Sequence, residues 1–367
     1  MIVSIPRPNL LGSAVKFYLR MKYCFDSPCR VLLVMITIVT VCGGAAAGAP
    51  DVAGGFPEDD GYACALFFGA EIQGTLNHCG CPQKPEGGFG WRMGYSNMLA
   101  ARGGGIPTLQ VDAGYFFSEM QMDAREQNKW VLRVYNELNM AAANLTYHDL
   151  PYAEHLFEAG VYRDAKESNP MVGRLISANI IPRDNSHVRP PPYLIHTLKS
   201  PRIPKRRQFR IGFVGLTDSY QGRASSSVFV IRHPLAAAHQ IVPIVRQKCD
   251  MVVLLAYLPS ELVEQIVKQV PGIDLVILSN QIDTDRPPVQ IHQTTVACAR
   301  SQTRSLGEAL VYLKQDGSLD HLRVRMVPLD DRWPEDPLAR KLTEQANEAV
   351  TRFRQEYSLK QTPPAWK

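Results

Sequence analysis

Cysteine is scarce in this 367-residue chain, and the scarcity is informative. Three of the eight cysteines (Cys24, Cys29 and Cys42) fall within the first 49 residues, leaving Cys64, Cys79, Cys81, Cys249 and Cys298. An odd and widely spaced set excludes a disulfide-stapled scaffold. No C-x-x-C-H occurs, which excludes covalent c-type haem within this sequence. A charge excess is also missing. Residues 1–49 carry five Lys/Arg and one acid, and without them 35 basic and 34 acidic side chains remain. A near-neutral balance gives no electrostatic case for nucleic acid or an anionic membrane as partner. The local basic run "KSPRIPKRRQFR" at 199–210 adjoins the proline-rich "RPPPYL" and reads as a solvated connecting loop. No internal repeat is present.

What the chain does have begins with "VLLVMITIVTVCGGAAAGA" at 31–49, uncharged and preceded by Lys22 and Arg30. A basic region, an apolar stretch and then small residues read as a secretory signal. Nineteen residues also satisfy a retained membrane anchor. Lipid attachment at Cys42 is disfavoured by Val41, and Met21 would make a more ordinary start than Met1. The expectation is an exported protein, periplasmic or extracellular, tethered by 31–49 if the stretch is kept. A linker at 50–61 would follow, then a domain over 62–332 and a C-terminal helix and tail over 333–367.

From residue 62 onward, apolar β-type runs alternate with helical patterns. Strands are expected at 62–69, 107–113, 139–144, 174–181, 209–217, 250–258 and 273–280, with helices at 89–102, 119–138, 149–159, 234–247 and 260–269. Such alternation predicts an α/β domain with buried, largely parallel strands. "VQIHQTTVACA", "EALVYLKQDG" and "LDHLRVRMVPLD" alternate polar and apolar residues and read as one antiparallel meander. Residues 337–357 are amphipathic, with Leu338, Leu342, Ala346, Ala349, Val350 and Phe353 on one face.

The order of "LISANII", "FRIGFVGLTD", "VVLLAYL", "VPGIDLVILSN" and "RSLGEALVYLKQDGSL" resembles the metallophosphoesterase domain of exported 5′-nucleotidase-like enzymes, over about residues 62–330. "GTLNHCGC", "EGGFGWR" and "LQVDAGY" are more similar still to an exported, C-G-C-containing branch of that superfamily. The resemblance implies a four-layer α/β/β/α sandwich and a site past the carboxyl ends of the strands. In some members of that branch a multihaem cytochrome follows the domain, which makes an envelope redox protein of that kind an expected partner.

Active members of the superfamily hold two cations that bind a phosphoryl oxygen and generate hydroxide for in-line attack. In this sequence the resemblance lays the first ligand motif, Asp-x-His, on Glu71 and Gln73, and the bridging aspartate of Gly-Asp on Tyr115. Gly-Asn-His-Glu falls on "ANLT", keeping Asn144 but placing Leu145 at the histidine. A later lone histidine falls on Tyr257, and the final Gly-His-x-His on Ser279, Asn280, Gln281 and Ile282. No imidazole stands at any of these positions. Asp112, three residues before Tyr115, should point to the opposite face of its strand. The implied state is a catalytically degenerate, tyrosine-lined cleft that binds a small anionic or sugar-like ligand. The alternative is a metal-dependent phosphohydrolase with rearranged ligands (Glu71, Asp112, Asn144, His148, Asp149) around manganese, zinc or iron.

The turn "NHCGCPQKPEGG" leaves three readings open. Cys79 can be a small buried residue beside a turning Gly80. His78, Cys79 and Cys81 can contact a metal, cluster or haem, although a closed zinc site needs a fourth ligand. Cys79 and Cys81 can also form a reducible pair, because a disulfide between them closes a small, strained ring. Gly87-Gly88 ahead of a helix is a weak anion-binding signal without a P-loop lysine, and Arg92 in that helix is expected to face the cleft.

Overall fold

The computed structural model describes residues 55–361 apart from 82, 103, 120–121, 205–207, 219–225, 281–285 and 299, and gives no side chains for 358–361. The chain divides into two units, Met1–Ala49 and Pro50–Lys367. The expected leader, with Cys24, Cys29 and Cys42, lies outside the described residues, as do Gln281 and Ile282. No described helix is long and apolar enough to cross a membrane.

In chain order the elements begin β1 (Cys64–Gly69), α1 (Phe89–Arg102), β2 (Thr108–Asp112), α2 (Ala124–Glu137), β3 (Ala142–Asn144), α3 (Leu150–Ala153) and α4 (Tyr162–Ser168). They continue with β4 (Leu175–Ile176), β5 (Ile180–Pro182), β6 (Tyr193–Leu198), β7 (Phe209–Thr217), β8 (Phe229–Ile231), α5 (Pro234–Arg246) and β9 (Met251–Tyr257). The last are α6 (Ser260–Gln269), β10 (Leu275–Ser279), β11 (Val289–Ile291), β12 (Thr294–Cys298), β13 (Ser305–Leu313), β14 (Leu319–Pro328) and α7 (Pro337–Gln361).

Among the described residues, two six-stranded sheets form, ordered β14-β13-β1-β2-β3-β4 and β11-β12-β10-β9-β7-β6. In the first, β1 to β4 run parallel and β13 and β14 are antiparallel additions. In the second, β7, β9, β10 and β12 run parallel between antiparallel edges β6 and β11. Strand residues alternate faces, so each sheet has an inner and an outer set. Leu66, Phe68, Val111 and Ile176 of the first sheet meet Phe213, Val253, Leu255 and Ile277 of the second. Outside the first sheet, Ala65 and Phe67 pack on Trp91 and Tyr95 of α1, while Val131 and Tyr135 of α2 pack with Leu342 and Ala346 of α7. Outside the second, Val214, Leu254 and Val276 pack on Val242, Val245 and Ile266 of α5 and α6. The result is the expected four-layer α/β/β/α sandwich.

Four sequence expectations change. "LISANII" is two short strands, β4 and β5, that belong to different sheets. The buried Asn179 between them donates to the Thr217 carbonyl and to that of Arg232, fixing the bend. The anticipated meander divides between the sheets, with β12 parallel to β10 while β13 and β14 form a hairpin beside β1. Strand β6, just before the basic run at 199–210, is an edge strand that was not anticipated, and the preceding prolines do not interrupt it. In α7 the buried positions are Ala339, Leu342, Thr343, Ala346 and Val350, whereas Leu338 is exposed. The helix start is set by Asp336, whose carboxylate accepts from Ala339 N at 2.8 Å. The segment before α7 lies so close to α1 that a Cβ on Gly94 would sit 1.8 Å from the Pro334 carbonyl oxygen. The C-terminal helix is therefore part of the outer layer rather than a detached tail.

Candidate functional site

The parallel strands of both sheets end at one edge, where Glu71, Tyr115, Asn144, Tyr257 and Ser279 follow or close β1, β2, β3, β9 and β10. Crevices past the carboxyl ends of parallel strands are where ligands bind in open α/β sheets. The loops after β1 and β2 run side by side, with Glu71 N donating to Gly114 O, Gln73 N to Tyr115 O and Gly74 N to Phe116 O. Glu71, Gln73 and Tyr115 adopt left-handed φ values of 51°, 50° and 59°. Non-glycine residues are held there only where surrounding contacts impose it.

Asp149 is one source of that constraint. Its buried carboxylate accepts from the amides of Tyr115, Phe116, Phe117 and Thr146 and from the Thr146 hydroxyl, at 2.7–3.2 Å. Burial nevertheless pushes its pKa up to about 6, against the lowering by these donors. Phe116 and Phe117 turn into the core, while the half-buried Tyr115 faces the cleft.

The cleft is lined by aromatic rings. Tyr115 stacks on His148 with centroids 3.8 Å apart, and Tyr147 lies 4.0 Å from the other side of the cluster at His148. Tyr257, from the second sheet, meets Tyr115, Tyr147 and His148 edge-on at 6.1, 5.7 and 5.4 Å. His148 Nδ1 bonds to the Glu119 carboxylate, which orients the ring and leaves Nε2 as its other polar atom. Glu71 is buried and accepts from Ser279 Oγ at 3.1 Å, linking the two sheets. Asn144 Nδ2 donates to Ala113 O at 3.0 Å and Leu216 O at 2.8 Å, a second link between them. Asn144 Oδ1, His148 Nε2 and the Tyr257 hydroxyl are buried with no partner in hydrogen-bond geometry, although the Tyr147 phenol is near enough to help raise the Tyr257 pKa.

Several candidates are turned elsewhere. Asp112 lies on the helix side of its strand, as its odd offset from Tyr115 requires, accepting from Tyr135 OH at 2.7 Å and Gly114 N at 2.8 Å. Burial pushes its pKa up to about 7. Arg92 does not face the cleft, correcting that expectation. It is buried between α1 and the first sheet, donating from Nε to Gln110 Oε1 at 2.8 Å and from Nη2 to Val111 O at 3.2 Å. The diglycine amides are also engaged, Gly87 N by Leu329 O and Gly88 N by Thr303 Oγ1, so they do not form an open anion cradle. Those glycines serve close packing, since a Cβ on Gly88 would meet His78 N at 2.5 Å. Asn280 is half-buried at the rim.

No protein-family model matches the sequence, and no curated protein matches it either. Solved structures do. A sulfate thiohydrolase, SoxB, from Thermus thermophilus superposes with a TM-score of 0.63 at 15% identity, covering 82% of this chain and 62% of that one. A calcineurin-like phosphoesterase, YfkN, from Bacillus subtilis gives 0.63 at 14% identity, covering 79% and 98%. A 5′-nucleotidase precursor from Thermus thermophilus gives 0.60 at 16%, covering 80% and 60%. The chain has the metallophosphoesterase fold. It spans about three fifths of the length of the SoxB and nucleotidase chains.

The metallophosphoesterase fold implies paired cations, and the donors in this cleft do not suit them. Burial pushes the Tyr115 phenol up to about 12 and the Tyr257 phenol higher, away from the ionised form a cation needs. Asp112 faces the helices, and Asp149 is enclosed by five donors. Among the described residues, no group of three or more His, Cys, Asp or Glu side chains is arranged to hold a metal ion. His148 was among the candidate ligands, but Tyr147 and the pairing of His148 with Glu119 were not legible, because a loop contact 29 residues apart forms it. The one available signal was an aromatic residue at or just past the end of three strands, at Tyr115, Tyr147 and Tyr257.

Proposed function

We propose that this metallophosphoesterase-fold chain is an exported, catalytically degenerate member whose cleft binds a small polar ligand, instead of hydrolysing phosphoesters with paired cations. The supporting observation is that Asn144 Oδ1, His148 Nε2 and Tyr257 OH are buried without a partner, the last two within an aromatic cluster. A buried polar group without a partner costs about 1–3 kcal/mol, so a ligand supplying that partner recovers it. Asn144 Oδ1 accepts and Tyr257 OH both donates and accepts, a set suited to hydroxyl groups. The Tyr115 ring, half-buried in the cleft, suits the C–H face of a sugar-like molecule. A small anion finds a hydrogen-bond donor at the same site in the Tyr257 hydroxyl.

The rival function is phosphoester hydrolysis with rearranged ligands. In its favour, the Glu71 carboxylate lies near enough to Tyr115 and Tyr257 for its charge to act on both. One experiment separates the two. The chain is purified after growth with manganese, zinc and iron, its metal content is measured, and nucleotides and phosphodiesters are offered with each metal. The expected result is no stoichiometric metal and no turnover above the blank. About two moles of metal per chain, with hydrolysis abolished in Glu71→Ala or Asn144→Ala, would refute the proposal.

A further inference from the structure

Outside the cleft, the turn carrying Cys79 and Cys81 holds chemistry that the ligand-binding reading does not use. Both residues are free thiols, Cys79 half-buried and Cys81 exposed. The turn is fixed to the scaffold on its inner side. Cys79 N donates to Glu86 O at 2.8 Å, and Glu86 N donates back to Cys79 Sγ at 3.2 Å. His78 stacks on Trp91 with centroids 5.1 Å apart, and its Nδ1 lies 3.0 Å from Cys79 O. Phe89 N, just past the diglycine, is held by Leu76 O at 3.0 Å. Gly80 and Cys81 are left at the surface.

The two sulfurs are therefore unequal. Cys79 Sγ accepts from the Glu86 amide at 3.2 Å and donates to Lys84 O at 3.8 Å, whereas Cys81 is exposed at the surface. The Cys81 amide, acting on Cys79, is the largest influence holding that thiol below its ordinary value, and the bond to Cys79 holds Cys81 above its own. Charged neighbours are Lys84, Glu86, Arg300 and Arg304, with Lys84 paired to Glu86 at 2.7 Å and Arg300 at 3.8 Å from the same carboxylate. The other cysteines differ. Cys64 is fully buried, and desolvation pushes it up to about 12.

We propose that Cys79 and Cys81 form a thiol–disulfide exchange site, in which Cys79 attacks an accessible disulfide and Cys81 resolves the product. In the first step the Cys79 thiolate forms a bond to one sulfur of the incoming disulfide, and the other sulfur leaves as a thiolate. In the second, Cys81 loses its proton to that departing thiolate and attacks the Cys79 sulfur. The Cys79–Cys81 disulfide forms and the second partner thiolate is released, taking a proton from water. The partner disulfide is reduced by two electrons and the dithiol is oxidised. Closure across a single glycine makes a small, strained ring, so the bond is readily passed on to another dithiol rather than stored.

The test uses bis(2-hydroxyethyl) disulfide at neutral pH, with adducts followed by mass spectrometry. The whole chain should pass through a short-lived adduct to an internal Cys79–Cys81 disulfide. Cys81→Ser should accumulate a stable adduct on Cys79, and Cys79→Ser should react about tenfold more slowly, because it lacks the sulfur that the Glu86 amide stabilises as thiolate. Cys64 is the unreactive internal control. Equal rates for both single variants, stable adducts on both cysteines of the unaltered chain, or protection of both thiols by a bound metal would each overturn the proposal.

Discussion

The two sheets bring unequal sides to the cleft. On the first, Asn144 Oδ1 and His148 Nε2 lack partners, but the framework around them is engaged: Asp149 by five donors, Asn144 Nδ2 by two carbonyls, and the loops after β1 and β2 by each other. On the second, Tyr257 contributes a buried hydroxyl with no partner, and Ser279 reaches across to Glu71. One side is therefore a braced framework that holds strained backbone in place. The other is a wall whose polar atom is available to something else. Removing a side chain from each side should have opposite consequences.

The largest effect is expected on the braced side. Asp149→Ala leaves three consecutive amides and the Thr146 amide and hydroxyl without their acceptor, in a fully buried setting. The left-handed turn at Tyr115 loses what holds it. A loss of about 3 kcal/mol or more in unfolding free energy is expected, read from urea denaturation. A loss below about 1 kcal/mol would mean that water replaces the carboxylate and that the framework is not braced.

Much of this framework was legible in the sequence, and the reasons are local. The runs "FRIGFVGLT" and "CALFFG" are buried on both faces, so they show near-continuous apolar character that only a central strand needs. The inward turn of Asp112 toward the helices followed from strand parity alone. Edge strands β6 and β8 were not visible, since half-exposed β6 and three-residue β8 carry little periodicity. Segment order placed Tyr115 and Tyr257 at the cleft, but not the rest of its lining. Glu119 and His148, or Asp149 and Phe117, meet through loop geometry, which no period of the sequence encodes. Arg92 misled for a related reason. Its position in the first turn of α1 left two faces open, and Gln110 and Val111 on the sheet claimed it.

A smaller effect concerns pH, and it arises behind the braced side rather than within the cleft. Asp112, pushed up to about 7 by burial, retains its proton in the folded chain over a range where the unfolded chain has lost it. A raised carboxyl pKa stabilises the fold below the unfolded value near 4, and that contribution disappears as pH rises through about 7. Asp149, pushed up to about 6, acts with the same sign. Unfolding free energy should therefore fall by on the order of 1 kcal/mol or more between pH 4 and pH 7. Asp112→Asn keeps an acceptor for Gly114 N and removes the titration, so its stability profile should be flatter over that interval. An unchanged slope would show that Asp112 is already ionised in the folded protein, stabilised by Arg92 and Tyr135 more than burial opposes it.

The smallest effect is the one that tests the wall. Tyr257→Phe removes only a hydroxyl that is buried and unpaired, and it leaves the ring contacts with Tyr115, Tyr147 and His148 in place. Deleting an unsatisfied polar atom should be neutral or should stabilise the fold by up to about 1 kcal/mol, the reverse in sign of Asp149→Ala. The gain should come with a loss. If the hydroxyl is kept for a ligand, polyols or small anions that raise the melting temperature of the unaltered chain should raise that of Tyr257→Phe less. A variant that is destabilised by more than about 1 kcal/mol would mean that the hydroxyl already has a structural partner, and the contrast between the two sides of the cleft would disappear.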